Sequence, residues 1–185
     1  MRLNQRGGTS LLNLIIFVAV IGAGFWYYPQ WKAEQDKEKA RGEAINKLTS
    51  SYNAEKWEET EKLLDEMKEK YPDDFKKHKS KYFTVYQNMG KKIYDDSISV
   101  ATKKRGPILK EAVAYFKKAQ EWGDAEDFDR VILFDYADAL VELKKYKDAK
   151  KLVKIGLKPD DDTKKAKKTA ERFNILSKRI KRESN

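Results

Sequence analysis

The chain's one histidine, His78, stands in the run Lys76-Lys77-His78-Lys79. An imidazole titrates near neutral pH, so it is the natural first candidate for a general base or a metal ligand. Both roles need a second group at bonding distance, and the side chains next to it are lysines, which repel a metal ion and offer no acceptor. The pattern supports a solvated helix face. The carboxylate pairs Asp73-Asp74 and Asp95-Asp96 are sequence neighbours. On a helix, neighbours point about 100° apart and are poorly placed to share a proton. Cysteine is absent, which excludes disulfides, thiolate metal sites and thiol nucleophiles. No glycine-rich phosphate loop, metal-ligand spacing or nucleophile elbow occurs. The expectation is a protein that is not an enzyme and holds no metal or cofactor.

What remains is charge that can bind. Residues 144–185 hold 16 basic and 6 acidic side chains, which accounts for the whole net charge of +10. Just upstream, Glu121, Asp124, Glu126, Asp127, Asp129, Asp135, Asp138 and Glu142 face a single Arg130. An acidic hairpin is thus followed by a basic end. In that end Lys164, Lys165, Lys167, Lys168, Lys178, Arg179, Lys181 and Arg182 are candidate contacts for an anionic surface. Three destinations fit them. One is water, on the polar face of a terminal helix. Another is anionic lipid headgroups, each well-placed cation adding on the order of 1 kcal/mol. The third is an acidic protein, including the acidic hairpin of a second copy, so a homo-oligomer is among the arrangements left open. Nucleic acid is not expected, because no aromatic stacking platform is interleaved with the cations.

These residues must be positioned by helices. Pro (4) and Gly (9) are sparse in 185 residues and Lys, Glu, Asp and Ala are frequent, a composition that favours helix almost throughout. Apolar residues recur at helical spacing at Ala40, Ala44, Ile45, Leu48 and Tyr52, and a break is expected at Asn53-Ala54-Glu55. A second stripe, Trp57, Thr60, Leu63, Leu64 and Met67, stops at Tyr71-Pro72. A long third helix is expected from Asp74, with Phe75, Tyr82, Tyr86, Met89, Ile93 and Val100 or Ala101 on one face, ending at Arg105-Gly106-Pro107. A fourth, opened by Pro107, carries Leu109, Ala112, Val113, Phe116, Ala119 and Trp122 to a stop at Gly123. The fifth is expected from about Asp127 to Leu143 and the sixth from Tyr146 to Leu157. A basic last helix follows Pro159 and the acids Asp160, Asp161 and Asp162.

Three of these helices share one spacing: Trp57-x-x-Thr60-x-x-x-Leu64-x-x-Met67, Leu109-x-x-Ala112-x-x-x-Phe116-x-x-Ala119 and Tyr146-x-x-Ala149-x-x-x-Val153-x-x-Gly156. Large and small positions alternate, which lets antiparallel helices close. The pattern is similar to the second helix of a tetratricopeptide repeat. Tyr136-Ala137-x-x-Leu140 resembles the signature of that repeat's first helix, Leu48-Thr49 with Tyr52 does so more loosely, and Pro72 sits where the closing proline falls. The clearest copy is 125–160. The copy at about 40–72 reads as one residue short in its turn, and the middle copy, about 74–122, exceeds the usual 34-residue period. The resemblance implies an α-solenoid of about three helical hairpins with a capping helix. It also implies a concave surface that holds a peptide or helix of a protein partner, at Val131, Phe134, Asp138, Val141 and Glu142. Tyr82 and Tyr86 either extend that surface or belong to the core. Apolar side chains beside acids suit a ligand that is both basic and apolar.

At the other end, residues 11–28 read LLNLIIFVAVIGAGFWYY, with no charge and Asn13 as the one strongly polar side chain. This is close to the minimum for a transmembrane helix, and its closing aromatics suit the headgroup level. Asn13, Ala19 and Gly22 are candidate contacts for another membrane helix. Pro29 is expected to bend the chain, with a new helix near Trp31. The start of the chain resembles a type IV prepilin. Gly8 and Thr9 stand at the position of the cut, Asn13 stands where that family has Glu, and Pro29-Gln30-Trp31 is similar to its Pro-Gln-aromatic turn. Asn13 lacks the carboxylate of the family's Glu, and Thr9 replaces its Phe or Met.

The expected organisation is a basic tail over 1–10, a transmembrane helix over 11–28, a helical connector over 29–39, helical repeats over 40–160 and a basic capping helix with its tail over 161–185. The expected location is a bacterial inner membrane, with the domain on the extracytoplasmic side. The expected role is a scaffold that binds protein partners of an envelope complex. A pilin-like subunit assembled through its N-terminal helix is the alternative.

Overall fold

A computed structural model describes residues 8–158 and 164–184; for residues 8–13, 20, 23, 24 and 164–166 it describes the backbone alone. The described residues are all helical, with eight α-helices, one 3-10 turn and no strand. Contacts divide the chain between Lys47 and Leu48.

The first unit is one stretch of helix. α1 (Gly8–Asn53) runs through it with Pro29 inside. The fresh start expected near Trp31 is therefore corrected: a proline removes one backbone bond, and here the turns on both sides carry the helix past it. The described side chains from Leu14 to Trp31 stand exposed. Among the described residues, no helix is long and apolar enough to cross a membrane. Within the apolar run 11–28, the side chains of 11–13, 20, 23 and 24 lie outside the described residues.

The second unit begins with the end of α1 and turns into α2 (Trp57–Lys70). Thr60, Leu63, Leu64 and Met67 form the buried face of α2, as their spacing requires. Pro72 then opens α3 (Pro72–His78), and α4 (Lys81–Ile98) follows after one turn. The single long helix expected from Asp74 is thus two. In an unbroken helix Phe75 and Tyr82 would be about 10 Å apart along the axis. Here their rings meet at 5.9 Å and both contact Trp122, so burying this aromatic cluster requires the break.

α4 also stops earlier than expected. The Ser97 and Ser99 hydroxyls donate to the carbonyls of Tyr94 and Asp96 at 2.6 and 2.7 Å, offering the backbone an alternative to another helical turn. Arg105 closes the end by donating to the carbonyls of Ile98 and Val100. Arg105, Gly106 and Pro107 consequently lie inside α5 (Thr102–Gln120) instead of ending the previous helix.

A 3-10 turn (Ala125–Asp127) leads to α6 (Arg130–Glu142), then α7 (Tyr146–Gly156) and α8 (Lys164–Glu183). α4 lies beside α6 and α6 beside α8. α5 packs over α4 and α6, and α7 over α6 and α8. Helices of one row thus alternate along the chain with helices of a second row. Phe116, stacked on Tyr136 at 4.9 Å, and Phe128 fill the space between the rows.

One turn occurs twice. Ala54 N donates to Ser50 O, Glu55 N to Tyr52 O, Lys56 N to Ser51 O and Thr60 N to Lys56 O. The same four bonds join Leu143 to Ala139, Lys144 to Val141, Lys145 to Leu140 and Ala149 to Lys145. Glu55 and Lys144 hold matching left-handed conformations, φ 56° and 58°. The earlier turn is therefore not one residue short: three residues join the helices in both.

Candidate functional site

The cap of α6 sets the position of its charged face. Asp129 Oδ1 accepts from Val131 N at 2.8 Å and from Ile132 N at 3.4 Å, satisfying donors that the first helical turn leaves unpaired. From this start Asp135, Asp138 and Glu142 fall at i, i+3 and i+7 on one face. α8 packs against that helix and presents Arg172 and Arg179, two turns apart.

The result is a polar seam across α4, α6 and α8. Asp135, 4 % exposed, sits between Lys91 Nζ at 3.5 Å and Arg172 Nη2 at 3.8 Å. Lys91 also meets Asp95 at 2.7 Å. The Tyr94 hydroxyl donates to Asp138 Oδ2 at 2.6 Å. Arg179 reaches Asp138 at 3.6 Å, Glu142 at 2.7 Å and Glu183 at 2.8 Å. Apolar contacts run alongside: Phe173 packs edge-on against Phe134 at 5.4 Å, and the Arg172 guanidinium lies 3.9 Å over the Phe134 ring.

Burial pushes the Asp135 carboxyl up to about 6, against the pull of Lys91 and Arg172. The Tyr94 hydroxyl is raised by burial first and then by the charge of Asp138. Arg179 is raised through its bonds to Glu183 and Glu142 and stays a cation. Each carboxylate here faces a cation or a hydroxyl donor. Such an arrangement holds a helix in place.

The groove residues and one of the basic residues therefore meet each other. Phe134, Asp138 and Glu142 are covered by α8 through Phe173 and Arg179. Val141 is 1 % exposed and Val131 half-buried. Tyr82 and Tyr86 are core: their rings stack at 5.4 Å and the Tyr82 hydroxyl donates to Asp65. Lys167, Lys168, Lys178, Lys181 and Arg182 are exposed, whereas Arg179 is half-buried. The side chains of Lys164, Lys165, Asn13, Gly8 and Thr9 lie outside the described residues. Ala19 and Gly22 are exposed, and a Cβ on Gly22 would meet nothing within 4 Å.

His78 is half-buried at the rim of a cleft of about 600 Å3 that Lys77, Lys81, Thr84 and Gln87 also line. Desolvation, then Lys81, holds its pKa below the ordinary value, with Asp74 opposing. Lys81 Nζ lies 3.9 Å over the Tyr52 ring. Among the described residues no cluster of three or more His, Asp or Glu side chains could hold a metal ion.

Sequence reasoning missed Lys91, Tyr94 and Asp135 as one cluster. The i, i+3, i+7 spacing on α6 was a visible signal. The partners on α4 and α8 lie about 40 residues away on either side, where no local pattern links them.

Compared with protein-family models, with curated proteins and with solved structures, the chain matches none.

Proposed function

We propose that this chain is a membrane-anchored scaffold built from tetratricopeptide-like helical hairpins, which binds protein partners and supports the assembly or stability of a bacterial envelope complex. The observation that carries this reading is the repeated turn. Residues 50–60 and 139–149 share four backbone bonds and a left-handed residue at the same place. Together with the alternating rows of helices, this favours a stack of related units, an architecture that offers extended binding surfaces. The apolar run 11–28 supports attachment to a membrane, and attachment raises the effective concentration of the domain near membrane partners. The Lys/Arg count is nearly balanced across the run, with Arg2 and Arg6 before it and Lys32, Lys37, Lys39 and Arg41 after it; the extracytoplasmic side is supported by the resemblance of the start of the chain to a type IV prepilin.

The acidic face of α6 is not offered as the partner surface, since α8 covers it. Charge reversal at Asp138 and Glu142 is expected to loosen α8 first. The test is extraction of membranes in mild detergent followed by affinity purification of the tagged full chain. Partners that co-purify from the membrane fraction support the reading. A monodisperse monomer, or a chain found wholly in the soluble fraction, removes it. Protease digestion of spheroplasts against lysed cells reports the side of the membrane.

One observation favours a second reading. α1 continues unbroken from Gly8 through Pro29 to Asn53, the kind of long helix through which a pilin-like subunit assembles. Intact mass of the native protein separates the readings: a mature N-terminus at Thr9 supports the subunit, and an intact start supports the anchor.

A further inference from the structure

The run that carries the chain's only histidine lines a cleft of about 600 Å3 within the second unit. Lys77 and His78 end α3, Lys81 opens α4, and all three side chains face this cleft. Their charges are poorly neutralised. Lys77 meets the buried Asp74 at 3.6 Å. Lys81 reaches no carboxylate among the described residues; its Nζ lies 3.9 Å over the Tyr52 ring, which leaves the ammonium its full charge. His78 responds to these neighbours. Desolvation first, then the charge of Lys81, hold its pKa below the ordinary value; Asp74 opposes and Lys77 adds to the effect. Asp127 also lines the cleft, but its Oδ2 is engaged with Asp124 N at 2.8 Å. Basic groups gathered around a concave surface focus a positive potential there. The rest of the lining is polar. The Ser80 hydroxyl caps no backbone group, Thr84 adds a second hydroxyl, and Gln87 Oε1 is covered without a hydrogen-bond partner.

We propose that this cleft binds the phosphate ester of a small polyol, its phosphate against Lys77, His78 and Lys81 and its hydroxyls toward Gln87 and Asp127. A phosphate monoester brings up to about two negative charges and three acceptor oxygens, which suits three basic groups and two hydroxyl donors better than a carboxylate does. A phosphate alone fills a small part of the cleft. Asp127 repels a bare anion, yet its second oxygen accepts from a hydroxyl. Gln87 gains a donor for its unmet oxygen once the amide turns to the ligand. Binding also favours the imidazolium form of His78, so affinity rises as pH falls through its pKa; the charged groups that face it are Lys77, Lys81, Asp74 and Asp127. Two sources share this chemistry, a soluble glycerol phosphate and the headgroup of phosphatidylglycerol. The site needs no partner protein and stands or falls apart from the scaffold reading.

The experiment uses the full chain in an uncharged detergent, purified with a tag free of histidine, so that His78 is the sole imidazole and its ring signals in nuclear magnetic resonance are unambiguous. Glycerol phosphate, glycerate, inorganic phosphate and glycerol are titrated in turn. Glycerol phosphate is expected to shift the His78 signals, to raise the midpoint of its titration, and to bind on the order of tenfold more tightly than glycerate or inorganic phosphate. Glycerol should not bind. Lys81→Gln should weaken glycerol phosphate on the order of tenfold or more. Gln87→Leu should erase the preference over inorganic phosphate. Lys79→Gln, an exposed neighbour outside the cleft, should bind as the parent does, and circular dichroism shows that each variant is folded.

Unshifted His78 signals overturn the proposal, and so does glycerate binding as tightly as glycerol phosphate. Equal losses from Lys79→Gln and Lys81→Gln would reduce the site to the general charge of the basic run, which also overturns it. Phosphatidylglycerol added to the micelles, with phosphatidylcholine as its control, separates the two sources. If it moves the His78 signals in the parent and not in Lys81→Gln, the headgroup is a ligand; if only the soluble ester moves them, the ligand is soluble.

Discussion

Asp135 carries its charge where water barely reaches. Its pKa is raised by burial from the ordinary 3.8 to about 6, and the facing groups are Lys91, Tyr94 and Asp95 from α4, Arg172 from α8 and Asp138 on its own helix. The folded state therefore holds this proton more tightly than the unfolded chain does. The contribution is complete below about pH 4 and is lost as pH rises through about 6, amounting to about 3 kcal/mol. Urea denaturation across this range should show Asp135→Asn losing that slope relative to the parent; parallel profiles would exclude the effect. A second residue-scale consequence concerns Gly156. A Cβ built there would lie 2.2 Å from the Phe173 ring, which is fully buried. Gly156→Ala should cost about 1–3 kcal/mol through overpacking between α7 and α8, read as a lower midpoint of chemical denaturation. The glycine was legible as the last position of a repeated spacing; the ring that requires it was not, because Phe173 is 17 positions further along.

Elements set the next scale, and the repeated turn is the most informative of them. Glu55 and Lys144 adopt a left-handed backbone that costs an L-residue about 1 kcal/mol and glycine little. Glu55→Gly and Lys144→Gly should each stabilise the fold by up to about 1 kcal/mol, and by similar amounts, because the two turns share their bonds. Thermal denaturation of both variants checks this, and opposite signs would break the equivalence of the turns. The sequence marked both turns correctly as gaps between amphipathic stripes. It misjudged the third helix. Periodicity alone carries Phe75, Tyr82, Tyr86 and Met89 along one continuous face, since the break at Lys79 and Ser80 contains neither glycine nor proline. The break follows from gathering Phe75 and Tyr82 around Trp122, a contact across some 40 residues. Pro107 misled in the opposite sense: it reads as a helix start, yet it lies well inside α5 because Arg105 and two serines end α4 earlier.

At the scale of the second unit, the acidic and basic ends of the sequence are partners within one molecule. Arg179 alone meets Asp138, Glu142 and Glu183. Arg179→Glu should loosen α8, costing about 1–2 kcal/mol. Hydrogen exchange should quicken in residues 167–184 while α6 stays protected; unchanged exchange in α8 would show that Phe173, Leu176 and Ile180 hold it unaided. Sequence by itself determined that the protein is helical, where α2 and α7 begin and end to within a residue or so, and that charge is divided between two neighbouring segments. Those properties arise from interactions within a few residues, so they can be read along the chain. Tertiary structure alone decided that Asp138 and Glu142 face Arg179 and that Tyr82 and Tyr86 belong to the core. Electrostatic and packing energies depend on separation in space, and only the folded chain brings residues tens of positions apart to within a few ångströms of each other.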